Sequence, residues 1–392
     1  MSTIALPIGK SNWQLKALPP LSLYIHFPWC VRKCPYCDFN SHEARGGVPE
    51  DDYIAALVTD LESLLPLIWG RPIHSIFMGG GTPSLFSAQA MDQLLSALRA
   101  RLKILPEAEI TLEANPGTFE YEKFRDYRAA GINRLSVGIQ SFDAGHLSAI
   151  GRIHNGDEAR RAAEIAASHF DNFNLDLMFA LPGQTLQQAL ADISTALSSG
   201  PSHLSCYHLT LEPNTYFHRY PPELPDDDAA ADMHDAIEAR LVEAGFIHYE
   251  TSAYCRPGKM SYHNRNYWEF GDYLGIGAGA HGKISFPDRI IRQARYKQPA
   301  AYLNAVADGS AVQTEETLSL EQLPFEFMLN TMRLADGFPV ELFQERTGLP
   351  LSALNRGLQQ AESLGLIERD HQTIRPSAQG RRYQNRLLEL FL

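Results

Sequence analysis

Six short runs of β-branched and apolar residues, each separated from the next by a longer stretch, fill the chain from residue 22 to residue 211. The runs are SLYIHF (22–27), HSIFMGGG (74–81), EITLEAN (109–115), RLSVGIQ (134–140), FNLDLMF (173–179) and HLSCYHLTL (203–211). Intervening segments such as DDYIAALVTDLESLLPLI, AMDQLLSALRARL and QTLQQALADISTALSSG repeat apolar residues every three or four positions, the period of a helix with one buried face. Strands alternating with helices imply a parallel sheet, because a parallel neighbour is reached only through a crossover. Six such units fit either an open doubly wound sheet or an incomplete β/α barrel, and periodicity is the same in both. In both folds the loops after the strands' C-terminal ends gather the chemistry.

The alternation ends at EPNTYFHRYPPELPDDD (212–228), an irregular connection rich in proline and acid. A helix near 228–244 and a strand near 246–254 are expected next, then HNRNYWEFGDYLGIGAGAHG (263–282), aromatic and afterwards glycine-rich. From about 317, helical pieces near 321–334, 340–347 and 351–364 precede a hairpin-like GLIERDHQTIRPS and a last helix, an order that resembles a winged helix. Residues 337–392 hold seven arginines against six acidic residues, too even a balance for a DNA reader, so a protein-contact or capping role is expected. The chain divides into an N-terminal segment (1–21), a barrel (22–211), an extension with the aromatic and glycine motifs (212–316) and a C-terminal mainly helical domain (317–392).

The N-terminus has no apolar stretch behind a basic start, and no run approaches the roughly 20 apolar residues that span a bilayer. A cytoplasmic location is therefore expected. A net charge of −12 argues against nucleic acid as a partner.

Three of the five cysteines, Cys30, Cys34 and Cys37, fall within CVRKCPYC, directly after the first strand. In a reducing compartment such a cluster points to metal or redox chemistry before disulfides. Thiolates this close can wrap an iron–sulfur cluster, and three of them leave one iron with an open position. Zinc would need a fourth ligand, which His26 or His42 could supply. Three metal-free thiols are the third reading. Cys206 lies within a strand pattern and reads as buried, whereas Cys255 falls in a loop before Arg256 and Pro257, where a thiol can be reactive; neither is assigned a role.

The full string YIHFPWCVRKCPYCDFNS resembles the signature of the radical S-adenosylmethionine (SAM) superfamily. The likeness continues along nearly the whole chain to the coproporphyrinogen dehydrogenase-like branch, and within it to the heme chaperones. It implies an α/β fold, a partial (β/α)6 barrel of radical SAM type, whose three cysteines hold a [4Fe–4S] cluster. In that family the free iron is chelated by the amino and carboxylate groups of SAM. The reduced cluster passes one electron to the sulfonium, which splits to methionine and a 5′-deoxyadenosyl radical.

MGGGTPS (78–84) follows the second strand, where glycines either let a ligand approach the backbone or simply make a tight turn. Glu113, Gln140 and Asp176 put polar groups in or at the ends of three successive, otherwise apolar strands, where burial is costly without partners. The resemblance implies SAM contacts from Gly80, Gly81 and Thr82, places Tyr24 and Tyr36 on the cluster side, and matches Glu113, Gln140, Arg152 and Asp176 to polar SAM contacts. GIGAGAHG (275–282) resembles a glycine-rich strand near the adenosyl site, and reads equally as a close-packed turn.

HNRNYW (263–268) matches the HNxxYW pattern of the heme chaperone branch. Imidazole is a common axial ligand of heme iron, and Tyr and Trp offer flat faces to a porphyrin. His263, Tyr267 and Trp268 are therefore candidate heme contacts, with His281 an alternative ligand. Two departures separate the chain from the dehydrogenase. Phe39 stands where that enzyme has a fourth cysteine, and only 29 residues precede Cys30, too few for its longer N-terminal segment. The expected function is heme binding and delivery to heme-accepting proteins, membrane-associated ones among them, on a radical SAM core to which no catalytic residue is assigned. An oxygen-independent coproporphyrinogen III oxidase is the alternative, and a zinc-bearing interaction protein a third reading.

Overall fold

The computed structural model describes residues 13–117 and 120–392, so residues 1–12 of the expected N-terminal segment lie outside the described residues. All six expected strands form: β1 (Leu21–Phe27), β2 (Ile73–Gly80), β3 (Ile104–Ala114), β4 (Arg134–Gln140), β5 (Phe173–Phe179) and β6 (His203–His208). They lie side by side in chain order, and every neighbouring pair is parallel. A doubly wound sheet reverses its strand order at a switch point. With no reversal among these six, right-handed crossovers put all the connecting helices on one face and leave the sheet to curl around the other. This is the partial barrel, and it settles the choice that periodicity left open.

The helices are α1 (Glu50–Ile68), α2 (Ala88–Arg101), α3 (Glu120–Ala130), α4 (Gly156–His169) and α5 (Leu186–Ser198). Their starts follow from local chemistry. Ser87 caps α2, and Asn155 and Thr185 make capping boxes with Glu158 and Gln188.

Six further strands flank the barrel: β7 (Ile247–Glu250), β8 (Ala253–Cys255), β9 (Asp272–Ile276), β10 (His281–Ser285), β11 (Ile290–Arg295) and β12 (Val312–Thr317). The sheet runs β12-β11-β10-β9-β1-β2-β3-β4-β5-β6-β8-β7, with β9 parallel to β1 and antiparallel strands outside both ends. The stretch expected as one strand near 246–254 is the β7–β8 hairpin. That hairpin corrects the reading of Cys255, which is a strand residue with no exposure, its thiol pushed up to about 11 by burial.

The period of two along each strand sorts residues into two environments. Leu23, Ile76, Leu112, Val137, Leu175 and Leu204 face the helices and join one large apolar core. Their neighbours Ser22, Ser75, Ser136, Asn174 and Ser205 face the lumen, where polar side chains bond across strands. Ser75 Oγ donates to Ser22 Oγ at 2.8 Å, Asn174 Nδ2 to Ser136 Oγ at 2.8 Å and Ser205 Oγ to Asn174 Oδ1 at 3.1 Å. A polar lumen is affordable only because these partners exist.

After α6 (Asp227–Glu243), the short helix α7 (Tyr262–Trp268) packs against β1, β2 and β9. Glu109, low on β3, accepts from Ser261 Oγ, Tyr262 N and His263 N at 3.3, 3.1 and 3.2 Å, which fixes the start of α7. Asn266 donates to Ser22 Oγ at 3.0 Å and Asp272 O at 2.9 Å. These partners lie at the N-terminal ends of the strands, so HNRNYW seals the bottom of the barrel.

Beyond Leu318, helices α8 (Leu323–Thr331), α9 (Val340–Thr347) and α10 (Asn355–Ser363) pack with a small sheet of Phe338–Pro339, Thr373–Pro376 and Ile367–Arg369. Phe327, Phe338, Phe343, Leu358 and Ile374 form a second core, which Phe270 and Ile290 join from the barrel side. Among the described residues, no helix is long and apolar enough to cross a membrane.

Candidate functional site

A cavity of about 670 Å3 opens at the C-terminal ends of the barrel strands. It is lined by Cys30, Cys34 and Cys37 together with Tyr36, Gly80, Gly81, Thr82, Glu113, Gln140, Arg152 and Asp176. These are all of the expected cluster and SAM residues except Tyr24. Tyr24 points into the lumen below, where its hydroxyl lies 2.9 Å from His26 Nδ1, so its reach into the site is indirect.

The cysteine loop is pinned at both ends, since Trp29–Cys30 pairs with His42–Glu43 as a short parallel ladder. Within it Cys37 N donates to Cys34 O at 3.2 Å and Lys33 Nζ to Phe39 O at 3.0 Å. The three thiols are free and half-buried. Burial pushes the thiols of Cys30 and Cys37 up; hydrogen bonds, from Thr82 and Ser41 at Cys30 and from the Phe39 backbone and Ser41 at Cys37, pull the other way. Among the described residues, no three His, Cys, Asp or Glu side chains converge closely enough to hold a single ion. Of the two candidate fourth zinc ligands, His26 is engaged at both nitrogens, and His42 Nε2 lies 3.3 Å from Asn40 Oδ1.

A polar arc joins two of the thiols. Thr82 Oγ1 donates to Cys30 Sγ at 3.5 Å and itself accepts from Asn115 Nδ2 at 2.8 Å. Asn115 Oδ1 accepts from Arg152 Nη2 at 2.6 Å, and Arg152 Nη1 lies 3.7 Å from Cys34 Sγ. Arg152 Nε is buried with no protein acceptor, a donor left for something in the cavity. Asn115, which ends EITLEAN, carries no motif of its own in the sequence; only its place after Glu113 and Ala114 at a strand end marked it.

The glycines do more than admit a ligand. A Cβ on Gly81 would stand 2.5 Å from Trp29 O, and one on Gly80 2.4 Å from the His26 ring. Gly81 N and Thr82 N donate to Phe27 O and Trp29 O, both at 2.7 Å, so the glycine loop lies directly on the root of the cysteine loop. Gly80 N donates to Glu113 Oε2 at 3.0 Å. Burial, then the charge of Asp176, raise the Glu113 carboxyl to about 7. Asp176 is also raised by burial, with Asn174, Ser136 and Ser205 opposing. Gln140 sits at φ +68°, a left-handed conformation rare outside glycine, at the end of β4.

The remaining expectations fall elsewhere. GIGAGAHG lines no part of the cavity; it is a close-packed turn between β9 and β10 that backs the cysteine loop, where Gly279 leaves room for Asn40. His281, within this motif at the start of β10, is also off the cavity. His263 is 1% exposed, with Nδ1 2.9 Å from Ser75 Oγ and Nε2 2.9 Å from the Tyr267 hydroxyl. Trp268 is half-buried under the Arg333 guanidinium at 4.4 Å. Both imidazole nitrogens are thus committed inside the barrel, at the end away from the thiols, and neither His263 nor Tyr267 lines the cavity. At the cavity mouth, by contrast, Val31 (59% exposed), Phe39 (62%) and Ile153 (59%) form an apolar rim.

The chain matches the radical SAM superfamily over residues 24–196 and the HemN C-terminal domain over residues 318–383. It is 48% identical over 377 residues to the heme chaperone HemW of Escherichia coli, covering 96% of this chain and 99% of that one. To the heme chaperone HemW of Haemophilus influenzae it is 48% identical over 381 residues, covering 96% and 98%. Among solved structures, the radical SAM enzyme coproporphyrinogen III oxidase (HemN) of Escherichia coli superposes with a TM-score of 0.81 at 22% identity, covering 95% of this chain and 90% of that one. At that identity the likeness speaks for the fold, while relatives that align from end to end at 48% identity speak for more: the chain belongs to the HemW family of the radical SAM superfamily.

Proposed function

We propose that this protein binds heme and delivers it to acceptor proteins, on a radical SAM core that holds a [4Fe–4S] cluster and SAM. Membership of the superfamily implies the cluster and SAM. The residues fit both groups. Three free thiols border one cavity, and beside them stand an unpartnered buried Arg152 Nε and a wall of Glu113, Gln140 and Asp176. In this reading Cys30, Cys34 and Cys37 would hold the cluster, and Gly80, Gly81, Thr82, Glu113, Gln140, Arg152 and Asp176 the SAM. When bound, these groups would supply one-electron reduction of the sulfonium.

The chain's own residues have distinct tasks. Thr82 and Arg152 each direct a hydrogen at a sulfur, Thr82 Oγ1 at Cys30 and Arg152 Nη1 at Cys34. Glu113, ionised only in part near neutral pH, offers a carboxylate beside the Gly80 amide. Tyr36 closes one side of the cavity, its phenol held neutral by burial.

The observation that carries the heme reading is the apolar rim of Val31, Phe39 and Ile153 around a three-thiol cavity, in a chain whose relatives are named heme chaperones. Phe39 takes the place of the fourth cysteine and gives the mouth a flat apolar face suited to a macrocycle. A cytoplasmic place of action, with heme acceptors that include membrane-associated proteins, completes the proposal. The test is anaerobic titration of the reconstituted protein with hemin. A saturable Soret shift at one heme per chain is expected, with heme then passing to an apo-acceptor. Turnover of coproporphyrinogen III with SAM and a reductant, without stable heme binding, would replace this reading with that of an oxidase.

A further inference from the structure

We propose that His26 and Asn40 form a brace that sets the spacing between the cysteine loop and the glycine loop, acting as positioning residues for SAM. Neither lines the cavity. The proposal rests on reading that cavity as the SAM site.

The brace is anchored at its outer end. Asn40 Nδ2 donates to Ala278 O and to Lys297 O, both at 2.9 Å, on the far side of β1 from β2. Gly279, at φ +82°, accepts this contact because it lacks a side chain: a Cβ there would stand 2.2 Å from Asn40 Nδ2. The turn that receives Asn40 is itself immobilised. Gly277 N donates to Asp60 Oδ2 at 3.2 Å and Ala278 N to the Tyr53 hydroxyl at 2.9 Å, and Tyr53 donates on to His26 O at 2.7 Å. Asp60 in turn is paired with the fully buried Arg295 at 3.1 Å.

At its inner end the brace meets the glycine loop. Asn40 O accepts from His26 Nε2 at 2.8 Å, and a carbonyl can only accept, so Nε2 carries the hydrogen and Nδ1 accepts from the Tyr24 hydroxyl. Burial keeps this imidazole neutral, its pKa lowered to about 4. The ring fills the space that a Cβ on Gly80 would occupy. A rigid turn thus holds Asn40, Asn40 holds His26 in one tautomer and orientation, and His26 supports the backbone of Gly80, whose amide meets Glu113. At metal sites, the partners that orient the ligating side chains typically matter by about 10- to 100-fold in metal affinity or activity, and the brace is expected to act on a similar scale.

The test uses the full chain, reconstituted anaerobically. SAM affinity would be measured by equilibrium dialysis, with the EPR spectrum of the reduced cluster recorded with and without SAM, and melting of each protein recorded in parallel. Asn40→Ala and Gly279→Ala should both keep cluster iron and weaken SAM binding about tenfold. Both should also shrink the SAM-induced change in the EPR signal, and the double variant should be no worse than either single one. Asn40→Asp, which keeps the shape but loses the two N–H donors, should behave like Asn40→Ala, and it decides the matter with Gly279→Ala if Asn40→Ala fails to fold. SAM binding within twofold of wild type in the folded variants, or additive losses in the double variant, would overturn the brace. Failure of the wild-type protein to bind SAM would instead overturn the reading of the cavity.

Discussion

Arg152 touches Cys34: its Nη1 lies 3.7 Å from the sulfur, while Nη2 is held by Asn115 Oδ1 and Gly138 O at 2.6 and 2.7 Å. One planar group therefore ties the cysteine loop to the ends of β3 and β4. A lysine would keep the charge but not the fork. Arg152→Lys should leave iron content near that of wild type, yet weaken SAM binding roughly tenfold and speed loss of the cluster in air. Asn115→Ala should have the same effect through loss of the link between Thr82 and Arg152. Iron and sulfide assays with timed exposure to oxygen check this, and wild-type lifetimes in both variants would refute the arc.

Glu113 sets a pH dependence whose sign can be worked out. Its folded value of about 7 lies above the ordinary 4.5, with burial the main cause. The folded state therefore keeps a proton that the unfolded chain has lost, and stability falls as pH rises from about 4.5 to about 7, then levels off. Glu113→Gln removes the ionisation. In the cluster-free, SAM-free protein it should raise the melting temperature at pH 8 by more than at pH 5, while the reconstituted variant binds SAM more weakly. Equal changes in melting at the two pH values would contradict this account.

A parallel sheet with crossover helices was legible from the alternation of runs because each strand buries one face against helices, and Leu23, Ile76 and Leu112 advertise that face. The cysteine triplet was legible because its spacing is local. That the sheet curls into a partial barrel was not legible from the runs, since strand order is a long-range property that no period reports. Neither were Asn40, Asn115 and His26, whose importance comes from partners distant in sequence: Asn40 bonds to residue 278, and Asn115 to residues 82 and 152. HNRNYW was visible as a motif but its orientation was not. A helix of aromatic and polar residues reads the same whether it faces a ligand or plugs a polar lumen, and only the contacts to Ser22, Ser75 and Glu109 decide.

The thiols should separate cleanly by position. Cys30, Cys34 and Cys37 border the cavity, whereas Cys206 is 6% exposed on the helix-facing side of β6, its thiol raised by burial. Alanine at any one of the three should abolish stable incorporation of a [4Fe–4S] cluster, and Cys206→Ala should leave it intact. Absorbance near the cluster's visible band, with iron counted per chain, measures both. A cluster that survives loss of Cys34 would show that another residue supplies a ligand.

His263 offers the sharpest separation of stability from heme binding. Its ring bridges Ser75 and Tyr267 and stacks on Phe77 with ring centroids 5.0 Å apart. Burial lowers its pKa to about 3, so it stays neutral throughout the working range. Replacing it by alanine leaves the buried Tyr267 hydroxyl without its partner, Ser75 with only Ser22, and opens a void, at a cost of about 2–4 kcal/mol. The expected result is a clear drop in melting temperature, with hemin still producing a Soret shift at temperatures where the variant is folded. Phe39→Ser, at the exposed rim, should do the reverse: melting within a degree or two of wild type, and heme affinity reduced about tenfold, since roughly 1.4 kcal/mol is expected from a lost aromatic face. If His263→Ala instead abolishes the Soret shift while folded, and Phe39→Ser does not change it, the heme lies at the bottom of the barrel and α7 must open to receive it.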